Sequence, residues 1–352
     1  MIDLRSDTVT LPTETMYASM ASAELGDDGR EGDPTVRHLE ALAAERTGKQ
    51  AGLFLASGTM ANLVALLAHG ERGADLVLEA TSHLVVHEHR SVALAGLAPR
   101  LVPGRDGALD LDGLRRALAP GAVARPVAPA VVVVENTHNE ASGAASSLEH
   151  LDAVSRLARD AGARLHLDGA RLFNAAVAIG APASAIAAPF DSVAFCLSKG
   201  LSAPVGSVLC GSEAFVERAR SFRHAVGGTM RQAGVVAAAG VVALETMIDR
   251  LADDHARART MADRLRALDI GLGIPERVDT NIVRIDVSGT GITASIWREL
   301  LAERDVRVNA YGDDQLRIVT HRHIDDTAVV MATAAFTTAF ASAHSAGRKP
   351  TA

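Results

Sequence analysis

The stretch that most restricts the fold is residues 130–199, where apolar runs alternate with helical patterns. Ala130 to Glu135 reads A-V-V-V-V-E, a continuous apolar run that marks a strand buried on both faces. Ser146-x-x-Glu149 forms a capping box for a helix carrying Leu148, Leu151, Val154 and Leu157, and Gly162 stops it. R-L-H-L-D (164–168) is the next strand, residues 170–187 are a helix or loop, and 191–198 form a further strand. This cadence predicts an α/β fold with a mostly parallel sheet and helices on both faces. V-G-S-V-L-C (205–210) follows too soon for a crossover helix and is expected to run antiparallel.

Ahead of this core, a polar, Thr-rich lead occupies residues 1–25. Asp33-Pro34 reads as an N-cap and first helical position, and Gly48 as the stop of that helix. A-G-L-F-L-A-S is a strand running straight into Gly58-Thr59 and a helix, and D-L-V-L-E (75–79) is another strand. From about residue 212 the pattern turns to long helices. After Pro275 come N-I-V-R-I-D-V, a helix near 293–304, V-R-V-N, L-R-I-V-T and a closing helix near 324–343. The expectation is a large domain over residues 1–245, lead included, and a smaller C-terminal α+β domain over 246–345. A net charge of −7 without basic blocks argues against nucleic acid or an anionic membrane as partner. Cys196 and Cys210 sit in apolar runs and read as buried free thiols of a reducing compartment. The N-terminus lacks an apolar signal core and no segment reads as long enough for a membrane span, so the cytoplasm is the expected location.

The chemistry centres on lysine. The chain has three lysines, and Lys199 alone stands where an apolar run meets a Gly-rich turn, D-S-V-A-F-C-L-S-K-G-L. A lysine at a buried strand end is costly unless its amine is used, and the commonest covalent use is a Schiff base with a carbonyl cofactor. Ligands in open α/β sheets bind outside the carboxyl ends of strands. Here those ends carry Gly58-Thr59, Asn136 to Asn139, Asp168 and Lys199. S-G-T-M-A-N opens a helix whose amides and Thr59 hydroxyl suit a phosphate, although such turns are often plain caps. Asp168 needs a cation or hydrogen bonds, and Arg171 could simply pair with it. Pyridoxal phosphate uses all three features: its phosphate a helix N-terminus, its aldehyde a lysine, its pyridine nitrogen a carboxylate.

Several stretches together resemble the L-threonine aldolases of the aspartate-aminotransferase-type pyridoxal-phosphate enzymes, within the group of the β-eliminating lyases. They are I-D-L-R-S-D-T-V-T, G-D-D, D-P-T-V, S-G-T-M-A-N-L-V-A-L-L, E-N-T-H-N, H-L-D-G-A-R-L-F-N-A, C-L-S-K-G-L-S-A-P-V-G-S, G-G-T-M-R-Q-A-G and L-R-I-V-T-H. The resemblance implies fold type I with a seven-stranded, mostly parallel sheet, and retro-aldol cleavage of L-threonine, L-allo-threonine or a related β-hydroxy-α-amino acid to glycine and an aldehyde. It implies Lys199 as the cofactor's amine, Asp168 at the ring nitrogen, Gly58 and Thr59 at the phosphate and His83 on the ring face. Arg171 would approach the phenolic oxygen and, with Arg317, Ser6 and His87, the substrate; Arg231 would reach a neighbour's cofactor in a homotetramer of tight dimers. His83 is the candidate base for the β-hydroxyl proton.

Bland roles stand beside these: Ser6 as a helix cap, Arg317 as a surface strand residue, Asn136 and His138 as props of a turn, His321 and His323 as structural. His83, His87 and His89 invite a metal, but the cluster reads as lacking supporting carboxylates, so none is expected. The chain departs from the family at Arg30, where a tyrosine is usual, at His224 in place of a lysine, and around Arg125 and Pro126, where a histidine is common. These departures fall on the substrate-facing edge and leave open which β-side chain fits. The competing reading is a lyase that eliminates the β-substituent of a β-substituted L-amino acid with the same cofactor machinery, giving pyruvate and ammonia instead of glycine.

Overall fold

The structure is a computed structural model that describes residues 1–119 and 130–345. Arg125 and Pro126 lie outside the described residues. The chain divides into two compact units, one of residues 11–140 and 144–249, the other of residues 1–10, 141–143 and 250–352.

The larger unit is built on a seven-stranded sheet. Its order is Ala51–Leu55, Ser207–Gly211, Ser192–Cys196, Arg164–Asp168, Val131–Glu135, Asp75–Glu79, Ala98–Val102. Ser207–Gly211 is antiparallel to both neighbours, as its short connection requires, and the other pairings are parallel. Every residue of Val131–Glu135, Ser192–Cys196 and Ser207–Gly211 is buried, so the middle of the sheet is covered on both faces. Helix Gly58–His69 seals one part of it, setting Ala61, Val64, Ala65 and Ala68 against Leu53, Leu55, Ala194 and Leu209. The helix that opens with Pro34 is capped by Asp33 and ends at Gly48, whose φ of 64° falls in the left-handed region that glycine tolerates.

One cap differs from its sequence signature. The helix Leu148–Asp160 is capped by Ser147, whose hydroxyl accepts from His150 N, and not by Ser146. Ser146 is taken up elsewhere: its amide donates to Asn136 Oδ1 at 3.1 Å. Tertiary bonding at the strand end therefore shifts the helix start by one residue.

In the smaller unit Gln315–Val319 lies between Ile282–Asp286 and Asn309–Tyr311 in an antiparallel sheet. Trp297, Phe336, Leu300 and Ile318 form its core, with Trp297 Nε1 donating to Thr290 Oγ1 at 3.0 Å. Residues 1–10 belong here, whereas the sequence reading places the whole lead in the large domain. Ile2–Asp3 pairs in parallel with Val306–Arg307, and Leu4 is fully buried, so an apolar side chain and two ladder pairs hold this first segment. A second expectation is corrected as well. Helix Asp326–Ser345 has 20 residues and a mean hydropathy of 1.2, long and apolar enough to cross a membrane by length and composition. Its Val329, Ala332, Phe336, Ala339 and Ala343 are instead buried in the core of the smaller unit. Its alanine content makes the whole helix apolar while only one face is used for packing.

Candidate active site

Sheet register brings the functional strand ends to one edge of the larger unit. Ser207 pairs with both Leu55 and Cys196, so Gly58 and Lys199 each lie three residues beyond matched strand positions. Asp168 is level with Glu135 on one side and Ala194 on the other. Contact follows from register: a Cβ on Gly58 would stand 2.9 Å from Cys196 Sγ. The helix opening at Gly58 is thus pressed against the strand that leads to Lys199, and only glycine fits. Its first amides have no partners within the helix by geometry, with Ser57 capping Met60 N.

Asp168 is buried, and its carboxylate is held by Asn62 Nδ2 at 3.0 Å and by Ala170 N at 3.2 Å. Asn62 also faces Glu88 at 3.4 Å, and Glu88 accepts from the Thr59 hydroxyl at 3.3 Å. Glu88 Oε1 lies 2.9 Å from His83 Nδ1. The His83 amide donates to Glu135 Oε2 at 2.6 Å. Thr59, Asn62, His83, Glu88 and Asp168 therefore form one hydrogen-bonded group. His87 tilts toward His83 with ring centres 4.9 Å apart and pairs with Glu140 at 3.1 Å. Both histidines thus have carboxylate partners, which corrects the reading of an unsupported cluster. Among the described residues, no group of three or more His, Cys, Asp or Glu side chains converges for a metal ion.

Charge is unevenly distributed around this group. Burial pushes the His83 imidazole toward neutrality, but the Glu88 bond and the charges of Asp168 and Glu135 outweigh it and raise its pKa. At the next strand ends, His138 lies 3.0 Å from Glu79 and 3.6 Å from Glu135, all three buried. Burial opposes the charge on His138, yet the Glu79 bond and nearby carboxylates raise its pKa. Burial raises the fully enclosed Glu135 instead. Asn136 and His138 tie down the turn: Asn136 N donates to Asp168 O and His138 N to Ala144 O.

Lys199 is half-buried, with its carbonyl accepting from Ser202 N at 2.9 Å. Arg171 is buried just before helix Leu172–Ile179. Arg231 is exposed and pairs with Asp27 at 3.3 Å, as Arg30 does at 3.6 Å, so its ion pair among the described residues is with that carboxylate and not with the Asp168 group. In the smaller unit Ser6 does cap, its hydroxyl accepting from Thr8 N. Arg317 there is buried rather than on the surface, donating to Tyr311 Oη at 3.1 Å and Arg5 O at 3.4 Å. Asn62, Glu88, Glu135 and His166 were not singled out by the sequence. His166 carried a usable signal, a polar residue two positions before Asp168 on the same strand face. Glu88 and Asn62 had none, since only packing brings them to Asp168.

The residues fit pyridoxal phosphate. An amine, a buried carboxylate and a helix start lie along one sheet edge, and two buried hydroxyls, Ser82 Oγ beside His83 and Ser202 Oγ after Lys199, find no partner among the described residues. Buried polar atoms of this kind call for an external one.

Comparison with known proteins agrees with this geometry. The sequence model of the beta-eliminating lyase family matches residues 3–290. A probable low-specificity L-threonine aldolase 2 of Arabidopsis thaliana is 41% identical over 334 residues, covering 93% of this chain and 94% of the relative. The low specificity L-threonine aldolase of Escherichia coli K12 is 40% identical, covering 91% of this chain and 94% of that protein. Among solved structures, Leishmania major threonine aldolase shares the fold with a TM-score of 0.83 at 17% identity, covering 97% of this chain and all of that one. With a family model spanning most of its length and two such relatives along nearly all of it, the chain belongs to the beta-eliminating lyase family, alongside the low-specificity L-threonine aldolases.

Proposed function

We propose that the protein is a pyridoxal-phosphate-dependent aldehyde-lyase that cleaves L-threonine, L-allo-threonine or a related β-hydroxy-α-amino acid to glycine and an aldehyde. The observation that carries this is the meeting of Gly58, Asp168 and the Lys199 strand at one sheet edge, each matched to a different handle of the cofactor. Lys199 would hold the cofactor aldehyde, Asp168 its ring nitrogen, Gly58 and Thr59 its phosphate, and Arg171 its phenolic oxygen. When bound, the cofactor supplies an electron sink for the pair released by the breaking Cα–Cβ bond. The chain's own part is to aim that bond and move one proton.

Because His83 Nδ1 is engaged by Glu88, Nε2 is the nitrogen left to take the β-hydroxyl proton. A neutral imidazole there accepts it as the carbonyl of the aldehyde forms. Arg171 and Arg317, with Ser6, are assigned to the substrate carboxylate, and His87 to the substrate side; the sequence resemblance to the threonine aldolases supports these assignments. A guanidinium holds a carboxylate bidentately and so fixes rotation about Cα, a positioning effect. Arg231 is assigned to a neighbouring protomer's cofactor phosphate in a homotetramer, a dimer of dimers. Exposed Tyr17 and Val235, on two helices that pack together, support an interface between copies. The cytoplasm is the proposed location.

The family name points to a second reading, elimination of a β-substituent to give pyruvate and ammonia. The relatives at 40–41% identity favour the aldolase. Incubation with pyridoxal phosphate and either L-threonine or a β-substituted alanine separates the two. Glycine and aldehyde from threonine are expected; pyruvate from the alanine with no glycine from threonine would overturn the assignment.

A further inference from the structure

Asn62, His166, Ser192 and His69 have no role in the reaction as read above, yet each is hydrogen-bonded to the next. Asn62 Nδ2 lies 3.0 Å from Asp168 Oδ2 and 3.4 and 3.5 Å from the two Glu88 oxygens. Its other end, Oδ1, is 3.3 Å from His166 Nε2. His166 Nδ1 is 2.8 Å from Ser192 Oγ, which is 2.6 Å from His69 Nε2. Asn62, His166, Ser192 and Asp168 are buried, while His69 is half-buried with its ring stacked 4.3 Å from Phe215.

The direction of every link follows from one end. Ionised carboxylates only accept hydrogen bonds, so the amide end facing Asp168 and Glu88 must be the NH₂. Oδ1 then faces His166, and Nε2 of that ring must carry the proton. A neutral imidazole protonated at Nε2 accepts at Nδ1, so the Ser192 hydroxyl donates there. Ser192 Oγ has only lone pairs left for His69, whose Nε2 must be protonated too. Burial keeps both rings neutral near pH 7, holding His166 at about 4 and His69 well below its ordinary value.

We infer that His69, Ser192, His166 and Asn62 are positioning residues, a one-way chain of donors that locks the Asn62 amide and keeps the Asp168 carboxylate oriented. This rests on the role proposed above for Asp168. A flipped amide would aim Oδ1 at a carboxylate oxygen, and His166 Nε2–H is the bond that forbids the flip. Each donor polarises the next, which strengthens the last bond onto Asp168. Without it the Asp168 carboxylate keeps, of its bonds from Asn62 and Ala170 N, only the second, and loses the aim that faces it to a pyridine nitrogen.

The test uses full-length protein carrying ¹⁵N-histidine, loaded with pyridoxal phosphate labelled at its ring nitrogen. NMR at pH 7 should find His69 and His166 neutral and protonated at Nε2, and the ring nitrogen protonated. Asn62→Ala should weaken cofactor binding about ten- to hundredfold and move the ring-nitrogen signal toward the unprotonated position. Ser192→Ala, a milder change, should release the His166 tautomer while the unfolding temperature shows the fold intact. His166 protonated at Nδ1, or Asn62→Ala with unchanged ring-nitrogen signal and affinity, would overturn the chain. Should wild-type protein bind no pyridoxal phosphate, the functional reading falls and takes the chain's purpose with it. A wild type that binds and turns over normally with the wrong His166 tautomer sinks the chain alone.

Discussion

Gly58 offers a sharp test of how the site is assembled. A Cβ there would stand 2.9 Å from Cys196 Sγ and 3.7 Å from Ser207 Oγ. Unstrained contact needs roughly 3.5 Å, so Gly58→Ala forces a movement of about 0.6 Å. Cys196 has little freedom to yield, being buried with its sulfur accepting from Ser207 Oγ at 3.3 Å. Overpacking of this kind costs about 1–3 kcal/mol, and the better helix propensity of alanine recovers at most about 1 kcal/mol. Gly58→Ala should therefore lower stability by about 1–2 kcal/mol. Truncating the sulfur with Cys196→Ala should absorb the strain, giving a coupling of about 1–2 kcal/mol in a double-mutant cycle. Urea denaturation of the four proteins without cofactor measures it. The same movement displaces the helix start from the Lys199 strand, so pyridoxal phosphate affinity should fall about tenfold in Gly58→Ala and recover in the double variant. A strictly additive cycle, or a Gly58→Ala protein as stable as wild type, would refute the claim that helix and strand are in forced contact.

Asp168→Asn removes the negative charge from the proposed partner of the ring nitrogen and should lower turnover about ten- to hundredfold, assayed by aldehyde release from threonine; unchanged release would remove Asp168 from that role. His83 is held above its ordinary pKa, so it becomes a competent base only as pH climbs, and kcat/KM should rise with a midpoint above the ~6.5 of free imidazole. Glu88→Gln should move that midpoint downward, and a midpoint that stays in place counts against the pair. His166 and His255 are both pressed by burial to about 4, below their unfolded value. The unfolded chain therefore binds the extra protons, and stability should fall as pH drops from about 6.5 to 4, by roughly 3 kcal/mol per group. Denaturation midpoints across that window check it, with His166→Phe flattening the slope.

Much of the larger unit was legible because its signals are local. Val131–Val134 can only be a strand covered on both faces, and Ser207–Gly211 had too short a lead to run parallel. Lys199 and Asp168 stood out because a charged side chain is costly at a buried strand end without a use, and Gly58 because a helix opens there straight after a strand. Less was legible where a residue's partner is far along the chain. Ser146 was drawn to Asn136, which left Ser147 as the cap. The N-terminal lead paired with residues some 300 positions away.

By itself the sequence determined the strand–helix cadence, which strand ends carry the lysine, the carboxylate and the glycine turn, and the edge on which they emerge. All three follow from side-chain period and the cost of burying polar groups. Tertiary structure alone decided which polar residues surround Asp168. Asn62 reaches it from a helix 106 positions earlier, and Glu88 comes from yet another element. Hydrogen-bond direction is set by whole chains of partners at once, and no local pattern in a sequence encodes such a chain.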